Sequence, residues 1–220
     1  HRDLHSFPTR RSSDLAIRRL DSAVRQNILD GAKQIAMQGS AIMGEDLGYD
    51  AVEISAHLRS APDHEPIQGH IFLLSEFEKM QSGQPFVDIN GRQYAPIRRQ
   101  IGQWNCMHYA MSFSTKFSKP RYTTEQLDAM AEANEAGCEI DGRHYSLYKA
   151  GQIMRDLETR IRREMEAANA GKAVGDMELR KQCQRRINAM YKRYQEIARA
   201  SGIKPRGDRM RVPGFRMVKT

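Results

Sequence analysis

The sequence predicts a predominantly helical α+β protein: an N-terminal helix, a small mixed α+β module, a C-terminal antiparallel helical hairpin and a disordered basic tail. Apolar residues recur at three- and four-residue steps near both ends, while the middle alternates and contains an Asn-Gly turn signal. The last residues are rich in Pro, Gly and Arg, a composition that buries little. These shifts place boundaries at 1–15 (a non-native tail), 16–48 (amphipathic helix), 49–121 (α+β module), 122–202 (helical region with the hairpin) and 203–220 (basic tail).

Residues 1–15, HRDLHSFPTRRSSDL, carry neither helical period nor alternation, and the composition changes at Ala16. The stretch resembles a translated sequencing-library adapter and is set aside from fold reasoning, with native sequence expected to be missing before Ala16. His1-Arg2-Asp3-Leu4 matches the opening of the protein-kinase catalytic loop, but Pro8 stands where that loop needs a metal-holding Asn, and no Gly-rich loop follows.

From 16 to 47, Ile17, Leu20, Val24, Ile28, Ile35 and Ile42 form one apolar stripe, which predicts an amphipathic helix stopped near Gly48. In the module, Val52, Ile54 and Ala56 alternate with polar neighbours as in a half-buried strand. Ser75 to Ser82 reads as a short helix capped by Ser75, with Glu78 three residues on. Asn90-Gly91, between Phe86-Val87-Asp88-Ile89 and Arg92-Gln93-Tyr94-Ala95, predicts a hairpin closed by a tight primed turn.

Beyond Pro120, Thr123 and Gln126 make a capping box for a helix running to Gly137, and Asp141-Gly142 marks a second tight turn. Leu147, Ala150, Ile153, Leu157, Ile161 and Met165 stripe the next helix, interrupted at Gly171 and Gly175; Leu179, Cys183, Ile187, Met190, Tyr194 and Ile197 stripe the last. A short break between two such helices favours an antiparallel hairpin.

With 220 residues, 40% of them hydrophobic, the chain supports one compact domain with helical extensions. No apolar run approaches the ~18 residues of a membrane-spanning helix, so no membrane partner is expected. Cys106, Cys138 and Cys183 are odd in number and widely spaced, which argues for free thiols in a reducing compartment. The net charge of +8 is localised: residues 176–220 hold 13 Lys and Arg against 4 Asp and Glu, and the remainder holds 22 against 23.

Several spaced pieces of the module carry a resemblance: Ile54-Ser55-Ala56-His57, Pro62-Asp63-His64, Gln68-Gly69 and Trp104-Asn105-Cys106-Met107-His108. Together with Ser118-Lys119-Pro120, Tyr122-Thr123-Thr124-Glu125 and Asp141-Gly142-Arg143-His144-Tyr145, they resemble the phage minor capsid protein family, related to head-morphogenesis proteins of the Mu F type. The resemblance covers nearly all of residues 16–205, with Met107 where the family usually has Arg and Ile67 where it usually has an aromatic. It implies a structural protein of a tailed-bacteriophage virion, assembled in the bacterial cytoplasm, placed near the portal and in contact with portal or major capsid subunits. Gln68, Gly69, Trp104 and Asn105 are its core-module motif, and Trp104 is expected to anchor the core rather than stack on a base.

Two residue sets carry possible chemistry. His57, His64, Cys106 and His108 offer N and S ligands suited to zinc, and Cys106 and His108 share a face if their segment is extended; the same groups could instead hydrogen-bond loop backbone without metal. Adding Asp63 or Glu65 as a base would give a metal-dependent nuclease or hydrolase, but the spacing matches no nuclease motif or H-E-x-x-H. Hence no catalytic residue and no obligatory cofactor is assigned. Arg180, Lys181, Arg185, Arg186, Lys192, Arg193, Arg206, Arg209, Arg211 and Arg216 form the second set, a non-specific contact for double-stranded DNA or simply a solvated basic face.

Overall fold

The computed structural model describes residues 20–103 and 106–216. Residues 1–19, which hold the adapter-like stretch and the start of the expected first helix with Ile17, and Trp104 and Asn105 of the core-module motif lie outside the described residues. Five α-helices and seven short strands are present among the described residues, an α+β fold dominated by helix. The chain divides into two compact units, one formed by residues up to Glu53 with Ile71–Ser118, the other by Ile54–His70 with the residues from Lys119 onward.

The first unit begins with α1, Leu20–Asp46. An amphipathic helix ordinarily turns its apolar stripe inward. Here Val24, Ile28, Ile35 and Ile42 face solvent, Ile35 being 71% exposed, while the opposite side, with Asp30, Lys33, Ser40 and Gly44, packs inward. That inner face meets strand β5, Ala110–Phe113. Ser112 N–H donates to Ser40 Oγ at 2.9 Å, and the Ser112 hydroxyl donates to the Ser40 carbonyl at 2.6 Å. Gly44 makes this approach possible, since a Cβ there would lie 2.5 Å from Ser112 Oγ.

Strand β1, Ala51–Ile54, is central in a three-stranded sheet between β2, Ile71–Leu73, and β5. It pairs antiparallel with β2 through Val52↔Phe72. The expected alternation is therefore corrected: all four residues of β1 are buried, Glu53 included, so neither face of the strand is left to solvent. Helix α2, Leu74–Gln81, starts one residue before Ser75, and no side chain caps it. The Gln81 carboxamide instead clamps Ile101, accepting its N–H at 2.9 Å and donating to its carbonyl at 3.1 Å.

The hairpin of β3 (Phe86–Val87) and β4 (Gln93–Tyr94) forms where expected, with a different turn. Its loop is three residues long, closed by Asp88 N–H to the Arg92 carbonyl at 3.0 Å, and Gly91 alone has positive φ, 84°. A two-residue primed turn needs two such angles. The Asp88 carboxylate decides the outcome by accepting from the N–H groups of Asn90 and Arg92 and from the Tyr94 hydroxyl. Phe72, Phe86 and Tyr94 pack on one another with ring centroids 5.3–5.7 Å apart.

In the second unit, α3 (Thr124–Ala136) carries the expected capping box, with Gln126 N–H on Thr123 Oγ1 and Thr123 N–H on Gln126 Oε1. Strands β6 (Cys138–Ile140) and β7 (Arg143–Tyr145) follow as a hairpin whose two turn residues, Asp141 and Gly142, have φ of 52° and 68°. This is where the chain uses a primed turn. Helices α4 (Leu147–Ala173) and α5 (Met177–Ser201) then fold back on each other. Arg186 bonds Glu164 and Tyr194 bonds Glu158, so residues ascending α5 meet residues descending α4. Gly171 does not interrupt α4; it is buried where a Cβ would come within 3.0 Å of the Asp176 carbonyl. The expected stripes supply the core: Ala150, Leu157, Ile161 and Met165 against Cys183, Ile187, Tyr194 and Ile197, joined by Met154 and Ala198.

The segment after α5, expected to be disordered, is docked over residues 203–216. Met210 is buried in the hairpin core, with Ile203, Val212 and Phe215 packed beside it. Composition is an incomplete guide here because a few apolar residues suffice when polar side chains of the hairpin hold the backbone: Arg162 Nη1 donates to the Arg209 carbonyl at 2.9 Å and Asn169 to the Pro213 carbonyl at 3.1 Å.

Candidate functional site

In the first unit, α1 positions the segment that leads into β5. Lys33 Nζ donates to the Cys106 carbonyl and stands 3.4 Å from Asp30 one turn earlier. Side chains then alternate as in an extended strand: Cys106 and His108 are buried, whereas Met107 and Tyr109 are exposed. Cys106 Sγ lies 3.9 Å from His108 Nδ1. Two ligands of a tetrahedral zinc ion, with Zn–S near 2.3 Å and Zn–N near 2.0 Å, stand about 3.6 Å apart, so this pair has the spacing of two adjacent ligands. Of the four expected metal ligands, the first unit brings together these two.

His57 and His64 belong to the second unit. His64 is buried with its Nε2 3.8 Å from Asp63, and His57 Nδ1 is 2.9 Å from the Leu58 carbonyl. The loop that carries them closes through Gly69 N–H to the Ile54 carbonyl at 2.8 Å and Ile54 N–H to the His70 carbonyl at 3.0 Å. Gln68, buried, accepts the His57 N–H at 3.1 Å. Gly69 has φ of 73°, and a Cβ there would lie 2.3 Å from a Leu127 methyl, so only glycine fits. Thus Gln68 and Gly69 act as packing and hydrogen-bonding elements. Asn134, absent from the sequence expectations, donates to Glu65 Oε1 at 2.8 Å and accepts the Tyr148 N–H at 3.0 Å. Its helical spacing gave no hint of this, since an Asn inside a helix reads as a solvent-facing residue.

The groove beside the β3–β4 hairpin, lined by Glu76, Lys79, Phe86 and Tyr94, holds no poised base. Glu76 accepts from Lys79 at 2.6 Å and from Val87 N–H at 2.9 Å, and the Lys79 bond holds its carboxyl below the usual range.

The basic residues separate into two classes. Arg186 bonds Glu164, Arg193 grips both carboxylate oxygens of Asp141, Arg206 pairs with Asp208, and Arg209 stands 3.6 Å from buried Glu158. Those partners raise the basicity of Arg186, Arg193 and Arg206, the hydrogen bond being the leading cause in each. They are structural cations. Lys181, Arg185 and Lys192 instead lie on one exposed line of α5, to which Arg199, overlooked in the sequence, adds a fourth charge at the next turns. Arg185 reaches Glu178 at 3.4 Å, with both side chains well exposed. Arg211 and Arg216 are exposed on the docked terminal segment, and Arg180 is half-buried.

A family model described as phage minor capsid protein 2 matches residues 17–197. The chain belongs to this phage minor capsid protein family. No curated protein and no solved structure matches it. The matched span takes in both units, so membership in the minor capsid family covers the inverted helix α1 as well as the hairpin. Among the described residues of this minor capsid protein, no helix is long and apolar enough to cross a membrane, and all three cysteines are free and buried.

Proposed function

We propose that this minor capsid protein is built into the phage head near the portal, contacts portal or major capsid subunits, and touches the packaged genome through α5, working by contact rather than by catalysis. The observation that carries the DNA contact is the exposed line of Lys181, Arg185, Lys192 and Arg199. Cations repeated along one helix face can follow a phosphate backbone without reading bases, and binding then rests on counterion release. Of the two bases a hydrolytic reading could use, Glu65 is engaged by Asn134 and Asp63 stands 3.8 Å from His64, an arrangement that supports the structural role.

Fluorescence anisotropy with mixed-sequence duplex DNA tests the contact. Replacing Lys181, Arg185 and Lys192 together by Ala should weaken binding equally for all sequences and reduce the slope of log K against log salt by about 2 to 3. An unchanged slope removes α5 from the DNA contact. Placement near the portal is tested by asymmetric reconstruction of heads; density for this chain spread over the capsid faces contradicts it.

Zinc is a second reading, favoured by the buried Cys106–His108 pair. Zinc bound there would bridge two side chains of the segment before β5 and fix its extended form. Elemental analysis of protein purified without chelators should find zinc in the parent and lose it in Cys106→Ala; metal-free parent protein ends this reading.

A further inference from the structure

α1 is inside out. Its 27 residues, about 40 Å of helix, send a polar side to β5 and leave Val24, Ile28, Ile35 and Ile42 in solvent at 46%, 65%, 71% and 61% exposure. Residues seven apart lie nearly above one another on a helix, so Ile28, Ile35 and Ile42 form a single ridge. Gly31 and Gly39 flank it, and a Cβ at either would meet nothing within 4 Å. A continuous apolar ridge of this length on a protein surface marks an interaction face.

The ridge also has internal symmetry. Ile28 and Ile42 each stand seven residues from Ile35, and Gly31 and Gly39 each stand four. Arg25 is ten residues before Ile35 and Asp46 eleven after it, both exposed and on the same flank of the ridge. With a two-fold axis at Ile35, an antiparallel copy brings Ile28 level with Ile42 and Arg25 level with Asp46, so that each contact occurs twice.

We propose that α1 docks antiparallel on α1 of a second copy of this chain, with the two-fold axis at Ile35. Each Ile28 then meets Ile42 of the other copy, the glycines face across the seam and permit close approach of the helices, and Arg25 lies beside Asp46 of the second copy at both ends. A parallel two-fold pair would stack the same isoleucines but place the two Arg25 on opposite sides of the seam, and the two Asp46 likewise, so neither end would gain an ion pair. Charge complementarity therefore selects the antiparallel arrangement.

Light scattering on the full chain at tens of micromolar tests the pairing. The parent should have the dimer mass, and Ile35→Asp the monomer mass with an unchanged circular dichroism spectrum, because Ile35 is exposed in the single chain. Arg25→Asp alone should weaken the dimer several-fold, and Arg25→Asp with Asp46→Arg should restore it. Under mild oxidation, Ile28→Cys mixed with Ile42→Cys should form a cross-linked pair that neither forms alone; the native cysteines are buried. A monomeric parent, a dimer that survives Ile35→Asp, or cross-linking of Ile28→Cys with itself overturns the proposal.

Discussion

Tyr194 on α5 donates its phenolic proton to Glu158 on α4 at 2.9 Å, and its oxygen accepts the backbone N–H of Arg206 at 2.8 Å. Arg209 stands 3.6 Å from the other Glu158 oxygen. One buried hydroxyl thus joins both hairpin helices to the segment that follows them.

Tyr194→Phe keeps the ring and removes both bonds. Leaving buried Glu158 and the Arg206 amide without this partner should cost roughly 1–3 kcal/mol in thermal or urea unfolding. Hydrogen exchange should show faster protection loss over residues 203–216 than over α4. Equal loss in both would mean that Tyr194 does not hold the terminal segment.

The same contact predicts alkaline behaviour. Burial, with the Glu158 carboxylate nearby, pushes the Tyr194 phenol up to about 12. A group that holds its proton more tightly when folded contributes stability that is complete below its unfolded value near 10 and lost as pH rises toward the folded one. Unfolding free energy should therefore fall between about pH 10 and 12, with a shallower slope in Tyr194→Phe. Matching slopes in the two proteins would contradict this assignment.

Gly69 and Gly83 share a φ of 73°, but only Gly69 faces a neighbour. Gly83→Ala should cost about 1 kcal/mol from backbone strain alone. Gly69→Ala adds the collision with Leu127, and its cost should be roughly 2–4 kcal/mol. In the Leu127→Ala background that extra cost should largely vanish, a coupling that a double-mutant cycle reads directly.

Neighbouring cations on α5 should behave oppositely. Arg193→Ala breaks the two-point grip on Asp141, an exposed pair, and should lower stability by at most about 1 kcal/mol with little effect on DNA affinity. Lys192→Ala should weaken DNA binding and leave the melting temperature unchanged. If both variants lose affinity equally, the division of the basic residues into structural and exposed classes is wrong.

Much of the second unit was legible in the sequence because its determinants are local. The Thr123–Gln126 box, the Asp141-Gly142 turn and the two apolar stripes depend on residues a few positions apart. The first unit was harder, since its features are decided by distant partners. β1 is buried on both faces although its residues alternate in polarity, and the Asn90-Gly91 turn changed type because the Asp88 side chain intercepts its amides. Periodicity located the apolar ridge of α1 but carried no information about which side would meet the sheet. The expected cation set was equally indiscriminate, as sequence alone does not separate an Arg clamped to Asp141 from a Lys one position earlier that faces solvent.

The terminal segment is gripped mainly by its main chain: the Arg209 and Pro213 carbonyls and the Arg206 amide are the atoms that Arg162, Asn169 and Tyr194 recognise. Such a latch is indifferent to most of the side chains it holds. Beyond buried Met210, the packed Ile203, Val212 and Phe215 and the paired Arg206 and Arg209, the exposed Arg211 and Arg216 can be exchanged to retune the charge the segment presents without redesigning the helices beneath.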